Sequence, residues 1–184
     1  MTETVTNAAA VTAGLTVLAQ TRWPGSGEAE PDPLPGFVYS SFSPLVAATA
    51  GQCLSRWYGA APVPPGEGER VALILVSVRG DVAIASAIAK IVDGGGRMSP
   101  LLFSQSVANA VLGYIASRWG IGGPLLSVSP VADPEEDAMA LTAGLLADGD
   151  ADTALVVFAE PACTADEQDR SYALLVRLPA GETT

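Results

Sequence analysis

Histidine is absent from this chain, lysine occurs once, at Lys90, and cysteine twice, at Cys53 and Cys163. Without histidine there is no serine–histidine–aspartate triad and no imidazole to ionise a thiol. The cysteines form no CxxC pair and have no histidine partners, so a zinc site is excluded and both are expected to be unpaired. Aromatic residues make up only 6% and charged residues only 16% of the 184 positions. Basic groups number nine against twenty acidic ones, a net charge of −11. Such a surface repels phosphate backbones and anionic lipid, so neither a nucleic acid nor a membrane is expected as a partner.

Small aliphatic residues fill the gap. Hydrophobic residues reach 49% with a mean hydropathy of +0.35, which excludes disorder over most of the length. An aliphatic core of Ala, Val, Leu and Ile suits parallel strands covered by helices. The apolar run over 8–19 has no basic flank and no A-x-A cleavage pattern, and no run is long enough to span a bilayer. A cytoplasmic protein is the expectation.

Periodicity predicts a strand over 11–18, a helix over 44–58 and a fully buried strand over 71–78 (VALILVSV). It then predicts a helix over 82–92 capped by Asp81, one long helix over 101–119 and a strand over 125–129. A helix over 134–146 and strands over 153–159 and 172–178 complete the chain. Pro- and Gly-rich stretches at 24–35 and 60–69 read as loops, and residues 1–7 and 179–184 as frayed tails around a core of about 8–178. The alternation predicts an α/β fold: a mostly parallel five-stranded sheet with an antiparallel edge strand and helices on both faces.

Few side chains suggest chemistry. The triple glycine at 94–96 follows a helix and matches no phosphate-binding pattern, and Gly120, Gly122 and Gly123 likewise end a helix. Asp133, Glu135, Glu136 and Asp137 read as a solvated helix start rather than a cation site. Cys163 has no group nearby in sequence to activate it, and Cys53 lies on a helical apolar stripe as a small core residue. A serine–lysine dyad would have to use Lys90, which sits on a helix, and nothing in the sequence promotes it. No cofactor or metal is expected.

One pattern is more specific. Ser99-Pro100, Phe103, Ser106, Asn109-Ala110, Gly113, Gly120, Gly123-Pro124 and Val128-Ser129 occur in order, followed by Ala138, Leu145, Gly149, Asp152, Ala154 and Glu160. This series resembles the N-terminal half of a β-ketoacyl synthase, an enzyme of the thiolase fold. The resemblance implies that the chain is a single domain shaped like that half. It places the family's nucleophilic cysteine at Ala132, with an acidic helix start directly after it. The family's remaining catalytic groups lie in a C-terminal half that has no counterpart in these 184 residues. The resemblance therefore implies a non-catalytic, ketosynthase-like accessory subunit. Its partner would be a ketosynthase or a ketosynthase–chain-length-factor pair of type II polyketide, aryl polyene or fatty-acid-like biosynthesis, or a second copy. Leu125, Leu126, Ser127, Val128 and Ser129, which match the strand that pairs across the family's dimer axis, are the interface candidates. A lone half would also leave apolar helix faces at 82–92 and 134–146 uncovered. Two alternatives stand beside this reading: an acyl-thioester enzyme using Cys163, and a homodimer that binds an acyl chain or an acyl carrier protein. The charge of −11 disfavours the acidic carrier protein.

Overall fold

A computed structural model describes residues 7–24, 30–164 and 166–179. The expected tails and the middle of the loop at 24–35 fall largely outside the described residues. Five strands form one sheet: β1 (Thr16–Trp23), β2 (Val71–Val76), β3 (Leu125–Val128), β4 (Thr153–Glu160) and β5 (Arg170–Arg177), in the order β1-β5-β4-β2-β3. The pairs β4–β2 and β2–β3 are parallel, and β1–β5 and β5–β4 are antiparallel. Four strands share one direction, but two of the four pairings are antiparallel, so the sheet is mixed rather than mostly parallel. The reversed strand β5 is not at the edge, however, because β1 pairs along its outer side.

Alternation along the strands sorts the core into two layers. Leu73, Leu75, Leu155, Val157 and Leu175 face α2 (Phe42–Tyr58) and α5 (Ala110–Trp119), where Val46, Leu54, Leu112, Ile115 and Trp119 meet them. Ile74, Val76, Val156, Phe158 and Val176 face the opposite way, toward α1 (Ala8–Thr12) and α6 (Pro134–Ala147), against Ala10, Ala138, Met139 and Leu146. All six residues of β2 are buried, the property its unbroken apolar run implies.

Two expected elements differ. The strand expected over 11–18 begins only at Thr16. Asn7 caps a short helix by accepting the Ala10 N–H at 2.9 Å, and Gly14 (φ +72°) ends the reversal. The long helix expected over 101–119 is two helices, α4 (Pro100–Gln105) and α5, with α3 (Val82–Asp93) before them. The break falls where Ser104 and Ser106 turn their hydroxyls onto the carbonyls of Leu101 and Phe103, a competition with helical bonding that shortens helices.

Coverage of the helices is uneven. In α3 only Ile84 is buried and Val92 stays 63% exposed, whereas α6 seats four residues on the sheet with α1 packed beside it. Gly123 brings the chain into β3 against the start of β2, where a Cβ would overlap the Val71 carbonyl.

Candidate functional site

Strands β2, β3 and β4 deliver their C-terminal ends to one side of the sheet, and α3 and α6 begin there. In α/β folds this side gathers binding and catalytic groups. A cavity of about 410 Å³ lies between α3, α4 and β3, lined by Ser77, Ile84, Gln105, Val107 and Ser129 among others. A second, of about 560 Å³, opens at the start of α6 between Arg22, Arg79, Asp133, Glu135, Glu160 and Tyr172.

The start of α6 decides what this end can do. The chain leaves β3 through Ser129, Pro130, Val131 and Ala132, with Val131 fully exposed and Ala132 exposed. Asp133 is the N-cap, and its Oδ1 accepts the backbone N–H groups of Glu135 and Glu136, both at 3.0 Å. A helix N-terminus attracts an anion because these amides are unpaired and the dipole is positive. Here the chain's own carboxylate takes both amides, and Glu136 and Asp137 add like charge around it. An incoming thiolate or oxyanion would meet four carboxylates and two spent donors.

Glu135 is also engaged: the Tyr172 hydroxyl donates to its Oε1. Tyr172 stacks on Phe158 with ring centres 4.5 Å apart, and the Arg22 guanidinium lies 5.5 Å from the Tyr172 ring centre. Burial first, and then the Glu135 carboxylate, push the Tyr172 hydroxyl well above the usual phenol range. It is a proton donor fixed to α6, tying β5 to the helix start.

On the other side a clasp joins the turn after β2 to the turn after β4. Glu160 accepts the backbone N–H groups of Val78 (2.5 Å) and Arg79 (3.2 Å). The Arg79 guanidinium donates to both Glu167 carboxylate oxygens, at 2.7 and 3.2 Å, and to the Pro161 carbonyl at 3.2 Å. Arg79, with the Cys163 N–H at 2.8 Å, holds the Glu167 carboxyl down at about 2. Cys163 is exposed inside this clasp, its thiol donating to the Pro161 carbonyl at 3.8 Å. Cys53 is buried, its thiol donates to Ala173 O, and desolvation pushes it up to about 12.

The structure thus places Asp133 and Glu135 together at one cavity, with Ala132 exposed in the turn just before them. It puts Cys163 across the sheet end from them and Cys53 inside the core. Lys90 is exposed on the last turn of α3, and Gly94 ends that helix as expected. Both cysteines are free. Among the described residues no group of three or more acids or cysteines is placed to hold a metal, and no helix is long and apolar enough to cross a membrane. Sequence reasoning missed the Arg79–Glu160–Glu167 clasp and the Tyr172–Glu135 bond. The available signal was that Arg79 and Glu160 directly follow or end neighbouring parallel strands.

Of the interface candidates, Leu125, Leu126, Ser127 and Val128 form β3, half-buried at the edge of the sheet, and Ser129 is exposed just beyond it. Val107, which lines the same cavity as Ser127, Val128 and Ser129, is 51% exposed.

The family model described as "Beta-ketoacyl synthase, N-terminal domain" matches residues 41–182. No curated protein matches the chain. Among solved structures, it is similar to the ketosynthase ApeO in complex with its chain length factor ApeC from Xenorhabdus doucetiae, with 20% identity and a TM-score of 0.61. That match covers 83% of this chain and 65% of the other. The ishigamide ketosynthase/chain length factor matches with 16% identity and a TM-score of 0.65, covering 86% and 49%. A β-ketoacyl synthase from Burkholderia phymatum matches with 14% identity and a TM-score of 0.66, covering 93% and 54%. The chain thus spans between about half and just under two thirds of the solved chains it resembles.

Proposed function

Because the chain belongs to the family of β-ketoacyl synthase N-terminal domains, we propose that it is a non-catalytic, ketosynthase-like subunit that works by associating with a ketosynthase or a ketosynthase–chain-length-factor pair. The observation that carries this reading is the start of α6. Ala132, which the family resemblance aligns with the nucleophile, has no side chain able to attack a thioester. The amides that would stabilise charge there are occupied by Asp133. No histidine occurs among the 184 residues to act as a base. Condensation needs a nucleophile, a base and unspent donors for the oxyanion, and the start of α6 offers neither a nucleophile nor an unspent donor.

The partner side of the reading is supported by the edge formed by Leu125, Leu126, Ser127, Val128 and Ser129 and by the apolar residues beside it. A short uncharged edge strand is a ready pairing surface. Relatives described as a ketosynthase with its chain length factor make a chain of the same family the natural occupant. The subunit would stabilise or position that enzyme in type II polyketide, aryl polyene or fatty-acid-like biosynthesis. Two free cysteines, one of them exposed, fit a reducing cytoplasm.

The test of the non-catalytic half is an acylation assay by intact-protein mass spectrometry with a reactive acyl thioester. Neither the wild type nor Ala132→Cys is expected to gain an acyl group above the substoichiometric background at the exposed Cys163. Stoichiometric acylation of the wild type that disappears in Cys163→Ala would instead make it a thioester enzyme.

A further inference from the structure

The helix layer of α2 and α5, on the face of the sheet opposite α6, holds a further cavity of about 500 Å³. Pro44, Ala47, Ala48 and Gly51 line it from α2, and Tyr114, Arg118 and Trp119 from α5. The Pro-rich segment 30–35 completes the lining, and it precedes residue 41, where the family match begins. Cavities of this size hold small molecules.

Two observations distinguish this cavity from a packing gap. Gly51 lies inside α2, where glycine destabilises a helix relative to alanine. Packing does not demand it, because a Cβ there would meet nothing within 4 Å and the residue is not in a left-handed conformation. The room that a side chain at 51 would take is left to the cavity. Trp119 is only 4% exposed, yet nothing among the described residues accepts its indole N–H. A buried indole ordinarily has a partner, and leaving the bond unmade is costly. Next to it Arg118 is exposed and forms no ion pair among the described residues, and Glu30 and Asp32 bring carboxylates to the same cavity from the 30–35 segment.

We propose that this cavity binds a small apolar zwitterion, with the chemistry of a free hydrophobic α-amino acid. The ligand carboxylate takes the Arg118 guanidinium and the Trp119 N–H, adjacent donors on α5. The ammonium takes Glu30 and Asp32, and the apolar side chain lies along Ala47, Ala48 and Gly51. Tyr114, braced edge-on by Phe37 with ring centres 6.2 Å apart, supports the α5 wall. Charge requires both ends of the ligand. A lone carboxylate would set one guanidinium against two carboxylates on a chain of net charge −11, and a lone amine would leave Arg118 and the Trp119 N–H unmatched. The site shares no residue with β3 or the start of α6, so it stands independently of the proposed partner.

The test is calorimetric titration of the full chain with L-phenylalanine, L-leucine and L-tryptophan, with phenylacetate and phenethylamine as controls that carry one charge each. At least one amino acid is expected to bind saturably at a single site, about tenfold or more tighter than either control. Arg118→Gln is expected to weaken that binding about tenfold while leaving the melting temperature of the unliganded chain unchanged. Gly51→Leu is expected to abolish binding while the unliganded chain melts no lower than wild type, since leucine favours the helix that glycine opposes. The proposal is overturned by saturable binding of none of the three amino acids, or by a control that binds as tightly as they do. Affinity unchanged in Arg118→Gln, or binding that survives Gly51→Leu, overturns it equally.

Discussion

Cys53 and Cys163 share a side chain and nothing else. Cys53 touches the core between α2 and the sheet, and burial raises it from the ordinary 9.0 to about 12. Cys163 stands exposed in the clasp. A thiol reagent is therefore expected to label one site in the folded chain and two after denaturation, read by mass spectrometry. Labelling of Cys53 in the native state would contradict its placement. The shift also sets a sign. Between about 9 and about 12 the unfolded thiol loses its proton while the folded one keeps it, so Cys53 makes stability fall as pH rises through that window. Cys53→Ser is expected to weaken the fold at neutral pH by exchanging a buried thiol for a more strongly hydrated hydroxyl, and to remove the alkaline loss that the thiol causes. At the same scale, the identity of residue 132 matters less than its neighbour. Asp133 closes the helix amides, so a cysteine restored at 132 would still lack the donors that make a thiolate useful.

The turns beyond the strand ends are held by charge. The Glu167 carboxyl, held down first of all by its hydrogen bonds from Arg79, keeps the clasp intact above its ordinary value of 4.5. The stabilisation is lost as pH falls from there toward about 2. Protection of the amides of residues 162–164 and 166–167, measured against their intrinsic exchange rates, is expected to fall across that interval in the wild type and to be low already at neutral pH in Arg79→Ala. Equal protection in both would remove the clasp from the account. The elements differ in how readable they were. The run at 71–78 announced β2, and Asp81, Gly94 and Gly149 marked helix ends, because local backbone chemistry acts within a few residues. The small residues at 8–18 suit helix and strand alike, and only Asn7 and Gly14 hint at the reversal there. The break between α4 and α5 depends on serine hydroxyls bonding back to the helix. The outer position of β1 against β5 is a long-range pairing that no local pattern encodes. The Arg79–Glu167 pair and the hydrogen bonds of Asn109 with Leu125 and Ser127 join residues 16 or more positions apart, so they emerge only once the parallel strands are side by side.

The whole molecule is a five-stranded sheet covered on both faces, with two features that ask for a partner: an edge strand without charge and exposed aliphatic and aromatic residues next to it. Val92, Leu101, Phe103 and Val107 are 63%, 46%, 61% and 51% exposed, on or beside α3 and α4. Clusters of that kind on an otherwise acidic surface mark association sites. The α6 start gives the complementary half of the proposal, since Asp133 takes the amides of Glu135 and Glu136 that a helix start would otherwise offer to an oxyanion. The most direct test is the mass by light scattering of the chain co-expressed with β-ketoacyl synthases encoded beside it. The account predicts a defined heteromer that holds this chain in fixed ratio and is lost on Ser127→Pro. A wild-type chain that elutes as a stable monomer in the presence of every such synthase would contradict it.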